Sequence, residues 1–112
     1  MGDRQRVTDP AGKLRTAIRV LRWSEEELAW VLDFPVEFAE HLIWELHITP
    51  SMALRLEAAL EISAAEWFAA EAMSAPDLWL LEEDMAADLA AVRWRRHLLT
   101  HDRRSEGKWA PC

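Results

Sequence analysis

Apolar residues recur along this chain at spacings of three and four, the period of an α-helix that buries one face. Leu14, Ala17, Ile18 and Leu21 form the first such stripe. Asp9-Pro10 stands ahead of it, a pair suited to cap a helix and fill its first turn. The spacing predicts a helix from there to about Leu21. Ser24-Glu-Glu-Glu27 is a capping box, and it opens a second stripe through Leu28, Ala29, Val31 and Leu32. Asp33-Phe-Pro35 reads as a turn, followed by a third helix from about Val36 to Trp44 with Ala39, Leu42 and Ile43 facing inward. Thr49-Pro50 caps a fourth, which carries Met52, Ala53, Leu54, Leu56 and Leu60. Ser63-Ala-Ala-Glu66 is a second capping box and starts a fifth, to about Met73. Ser74-Ala-Pro-Asp77 leads into the longest helix, predicted to reach about Thr100. Strand-like alternation is absent.

These elements predict an all-α fold: a five-helix unit followed by a long C-terminal helix. The expected division is an N-terminal arm over 1–8, a helical domain over 9–75, the long helix over 76–101 and a frayed tail over 102–112. The second and third helices, joined by a three-residue turn, form a helix-turn-helix candidate. With 112 residues, 51% of them hydrophobic, the chain can fill one modest core. It has no apolar run of about 18 residues, so no membrane span is expected. Met1-Gly-Asp-Arg-Gln-Arg lacks the apolar stretch of a signal peptide. The lone Cys112 cannot form an internal disulfide. Both features fit a cytoplasmic location.

Charge changes the picture more than composition does. Between Ser24 and Ala91 there are sixteen acidic residues and one basic one, Arg55. Residues 1–23 and 92–112 each carry six basic and two acidic residues. The middle should repel phosphates, and the two ends should attract them.

The stretch Ile48-Thr-Pro-Ser-Met-Ala-Leu-Arg-Leu-Glu57, with Ala59-Leu60, Ser63-Ala-Ala-Glu66-Trp67 and Asp77-Leu78, resembles the HigA-type antitoxins. These belong to the XRE (Cro/C1-type) helix-turn-helix class, with a lambda-repressor-like fold. Pro10, Leu14 and Ser24-x-x-Glu27-Leu28-Ala29 also fall where that pattern places them, so the likeness covers roughly residues 10–80. It implies a five-helix unit, a homodimer, a small RNase-type toxin as protein partner, and repression of the operon that encodes it. It also implies a core position for Trp67. The sequence departs from the family where DNA would be touched. Ser24-Glu25 replaces Ser-Gln, and Asp33-Phe34-Pro35 replaces the Gly-containing turn. Val36-Glu-Phe-Ala-Glu-His-Leu-Ile-Trp44 replaces a third helix faced with Arg, Gln, Thr or Ser.

A helix-turn-helix protein reads the major groove with this third helix, mainly through Arg, Lys, Asn and Gln. The positions available here are Ser24, Glu37, Glu40 and His41, with Arg4 and Arg6 as arm contacts to phosphate. Other phosphate-seeking cations are Arg15, Arg19 and Arg22 at one end and Arg93, Arg95 and Arg96 at the other. The alternative is a protein-binding face. Trp30, Phe34, Phe38 and Trp44 would form its aromatic centre, with Glu26, Glu37, Glu40 and Glu45 at the rim. Such a face suits a basic partner, an RNase-type toxin or another nucleic-acid-binding protein. In that second reading the chain is a degenerate helix-turn-helix adaptor or inhibitor, a DNA mimic without DNA activity. The stripe Leu78, Leu81, Met85, Leu89, Val92 and Leu99 fits packing on the five-helix unit or, through Leu81, Met85, Leu89 and Val92, dimerisation.

No constellation points to catalysis. Ser24, Ser51, Ser63 and Ser74 read as caps or first-turn residues, and Glu82-Glu83-Asp84 with Asp88 as a solvated face. His97 and His101 are four apart on one helix face but lack a third ligand, so no metal is expected, and no cofactor.

Overall fold

The computed structural model describes the backbone of residues 9–109 and the side chains of residues 9–101. It is all-helical: α1 (Pro10–Leu21), α2 (Glu25–Leu32), α3 (Val36–Leu42), α4 (Pro50–Leu60), α5 (Ala64–Ala70), α6 (Trp79–Asp84) and α7 (Ala86–Trp109). No strand occurs among the described residues. The expected arm over 1–8, with Arg4 and Arg6, lies outside them.

Three helix starts follow from side-chain capping, whereas α1 begins without a cap bond from the Asp9 side chain and relies on Pro10 in its first turn. The Glu27 amide donates to Ser24 Oγ at 3.1 Å, and the Ser24 amide donates to Glu27 Oε1 at 2.8 Å, so the first capping box is complete. Thr49 Oγ1 accepts from the Met52 amide, and Pro50 occupies the first turn of α4. Ser63 Oγ accepts from the Glu66 amide, but Glu66 does not return a bond to the Ser63 amide. The helix ends are less ordinary. α1 and α2 stop at Arg22 and Asp33 in the left-handed region (φ 63° at both), and Ala72 has the same geometry just after α5 (φ 58°). In each case the next amide reaches back five residues: Trp23 to Ile18, Phe34 to Ala29, Met73 to Phe68. This is the Schellman closure, built here without glycine. In the first two the following residue is an aromatic ring that turns inward, with Trp23 buried and Phe34 half-buried.

One core draws buried residues from six of the seven helices, and α6 only packs Leu81 against it. Trp67, Leu14, Leu28, Leu32, Leu56, Val31 and Val92 are fully enclosed. α4 lies at the centre, packed against α2, α5, α6 and α7, while α3 packs on α2 and α1 on α5.

Three expectations change. α3 ends at Leu42, two residues early, because Ile43 and Trp44 form a turn whose amides bond to Ala39 and His41 carbonyls. The long C-terminal helix is two helices interrupted at Met85. Met85 adopts φ −96° and ψ 8° and is buried between exposed neighbours, so packing of its side chain sets the break. α7 also continues to Trp109, past the expected start of a frayed tail at 102; residues 110–112 lie outside the described residues.

Candidate protein-binding face

α3 buries Ala39 and Leu42 and presents Glu37, Phe38, Glu40 and His41 outward. No Lys or Arg lies on this helix. Just past its end Trp44 and Glu45 are exposed, and His41 Nε2 lies 3.4 Å from Glu45 Oε1. The outward surface is thus acidic with an aromatic ring in its middle. α2 adds exposed Glu26 beyond its capping box, and Trp30, which is 48% exposed.

The four aromatic residues expected to form one patch occupy three settings. Phe34 and Phe38 meet edge to face with centroids 5.0 Å apart. Phe34 is half-buried against the core, with the Arg55 guanidinium 5.7 Å from its ring and Arg55 itself 3.8 Å from Asp88 on α7. It supports Phe38 rather than offering a free anchor. Trp44 is 71% exposed, but its ring lies under the Arg15 guanidinium at 4.6 Å. Trp30 has no ring contact with the others among the described residues.

Arg15 does more than cover Trp44. Its guanidinium donates to the Ile43 carbonyl at the C-terminal end of α3 and lies 3.7 Å from Asp9 Oδ2. It therefore satisfies an unpaired carbonyl at the negative end of the helix. Arg95 does the same for α2: its Nε donates to the Val31 carbonyl at 3.0 Å. Arg96 lies 3.3 Å from Glu61 at the end of α4, and Lys13 lies 3.8 Å from Glu66 on α5. Cations from both basic ends are thus tied to the acidic middle or to helix ends within it. Of the eight arginines considered for phosphate contact, Arg4 and Arg6 lie outside the described residues, and Arg19, Arg22 and Arg93 are exposed without an ion pair among the described residues. Sequence spacing gave no sign of the Arg15 and Arg95 caps, since each joins residues 28 or 64 positions apart.

The remaining sites resolve as follows. Ser24 Oγ is engaged as the α2 cap, although the residue is exposed. Of the stripe considered for dimerisation, Met85, Leu89 and Val92 are buried in the chain's own core and Leu81 packs against it, so the other expected role, packing on the helical unit, already occupies these side chains. The core needs these side chains because α7 is the main covering of α4. Trp67 is fully buried. His97 stacks on Trp94 at 5.5 Å and His101 on His97 at 5.9 Å, making an aromatic ladder along α7. Among the described residues no group of three His, Cys, Asp or Glu is placed to hold a metal ion, and no helix is long and apolar enough to cross a membrane.

No protein-family model, curated protein or solved structure matches this chain.

Proposed function

We propose that this chain is a non-enzymatic binding module that takes a basic protein partner on the outward face of α3. The observation that carries the reading is the composition of that face: Glu37, Glu40 and Glu45 around exposed Phe38, with no Lys or Arg on the helix. An aromatic centre with an acidic rim fits a cationic protein surface, where charge steers encounter and the ring supplies apolar contact. The same acids oppose entry into a DNA groove, and the cations best placed to offset them are engaged elsewhere in the fold. The resemblance to HigA-type antitoxins makes a small RNase-type toxin the expected partner and toxin neutralisation the expected outcome.

Two measurements test this together. The chain is co-expressed with its neighbouring genes and purified, and co-eluting proteins are identified and tested for ribonuclease activity. In parallel, gel shifts at two salt concentrations use DNA from upstream of its own gene. A basic co-eluting protein whose binding falls at least tenfold in a Glu37→Lys, Glu40→Lys variant supports the proposal. Absence of such a partner, with tight salt-sensitive DNA binding weakened by Arg19 and Arg22 substitutions, refutes it in favour of an operator-binding repressor.

A further inference from the structure

The α3 face leaves two exposed features of the chain without a role. The first is an open groove of about 680 Å3 along α1. Val20, Leu21, Leu60 and Ile62 contribute its apolar surface, and Lys13, Arg15 and Arg19 outweigh the single acid Asp9 in its charged lining. Val20 is 75% exposed and extends the apolar lining of the groove to the surface. Lys13 is drawn toward Glu66, whereas Arg19 is exposed and has no ion pair among the described residues.

The second feature is α6. It has six residues and buries none of them. A helix this short does not hold itself together in water, so it depends on what it packs against. Leu78 and Leu81 supply that on one side by packing on the core. On the other side Trp79 and Leu80 remain 54% and 61% exposed. Glu83 lies one helical turn beyond Trp79, next to exposed Glu82 and Asp84, and none of these acids has an ion pair among the described residues. α6 therefore shows an apolar pair followed by negative charge, and the α1 groove shows an apolar surface beside positive charge. No residue of α6 lines that groove within the same chain.

We propose that α6 of one copy docks in the α1 groove of a second copy, with Trp79 and Leu80 on the apolar surface and Glu83 facing Arg19. The exchange is reciprocal, so a twofold axis uses both grooves and both α6 helices and leaves no open end for further growth. Two such contacts bury on the order of 1,000 Å2 in total, at the low end for specific association, so the dimer is expected to be weak and concentration-dependent. The interface differs from the stripe of Leu81, Met85, Leu89 and Val92, which the core already uses. It also does not rest on the α3 face, so either proposal can fail without the other.

The test is sedimentation equilibrium of the full chain as wild type, Trp79→Ala, Arg19→Glu, Glu83→Lys, and the Arg19→Glu, Glu83→Lys double variant. Circular dichroism checks that each is folded, which exposed positions should allow. Wild type is expected to form a concentration-dependent dimer. Trp79→Ala and each single charge reversal should weaken it at least tenfold, and the double variant should recover most of that loss. A wild type that stays monomeric up to about 1 mM overturns the proposal. So does a dimer indifferent to the single variants, or a double variant no tighter than the singles predict together.

Discussion

Replacing Arg15 with methionine tests the main tie between α1 and α3. The substitution keeps most of the aliphatic stem and removes the guanidinium. Three interactions go with it: the bond to the Ile43 carbonyl, the cover over Trp44, and the pair with Asp9. A hydrogen bond from a charged donor contributes about 1.5–3 kcal/mol, and the Arg15 side chain is 30% exposed, so the lower figure applies. A cation over an exposed ring adds roughly 0.5–1 kcal/mol. The Asp9 pair is solvent-screened and adds at most about 0.5 kcal/mol. The expected loss is therefore about 2–3 kcal/mol. For a domain of this size that lowers the melting temperature by roughly 8–12 °C. Urea and thermal unfolding followed by circular dichroism measure it. Arg15→Lys keeps the charge but loses the planar fork, and should recover less than half of the difference. A loss below about 0.5 kcal/mol for Arg15→Met would show that the end of α3 is held by its own packing, and would refute the capping argument.

Other consequences are open to direct measurement. Leu89→Ala should destabilise the fold by about 2–5 kcal/mol while leaving the association state of the folded protein unchanged, since Leu89 is buried in the chain's own core. Ala72→Gly should stabilise by about 1 kcal/mol in urea unfolding, because the left-handed backbone at this position costs a side-chain-bearing residue about that much. Ser24→Ala removes half of the α2 capping box and should lose about 1 kcal/mol; a change in partner affinity beyond that loss would give Ser24 a contact role. The Glu37→Lys, Glu40→Lys variant should stay within about 0.5 kcal/mol of wild type in stability, as both positions are exposed, so its loss of partner binding cannot be assigned to unfolding.

The parts legible in the sequence are those set by neighbours along the chain. Ser24 to Glu27, Thr49-Pro50 and Ser63 to Glu66 each announce a helix start through bonds spanning three residues, Asp9-Pro10 announces one through proline in the first turn, and each start is found where they place it. The apolar stripes are legible for the same reason. The helix ends are harder to see, because Arg22, Asp33 and Ala72 take up a conformation for which the usual signal is glycine. The break at Met85 carries no strong local signal: Leu-Glu-Glu-Asp-Met-Ala-Ala is mostly good helix formers with no Gly or Pro, and Met85 is buried against the rest of the fold where the helix is interrupted. At the candidate site, the acidic character of α3 could be read directly. The division of its aromatics could not, because Arg55 and Arg15 reach Phe34 and Trp44 from α4 and α1. The basic ends looked like phosphate ligands for a similar reason, since charge counted along a chain does not reveal which opposite charge it will meet in space.

The cross-ties from the two ends bear on the order in which the chain acquires its shape. During synthesis most of the acidic segment leaves the ribosome before residues 92–96, which supply a core side chain and two arginine tethers. Until then α4 lacks its main covering, the Val31 carbonyl lacks its donor, and sixteen acidic groups face a single cation within their own segment. Like charges along that segment oppose its compaction until the cations of the last helix arrive. Closure waits for α7, so the final basic helix acts as a late clasp on the folding of everything before it.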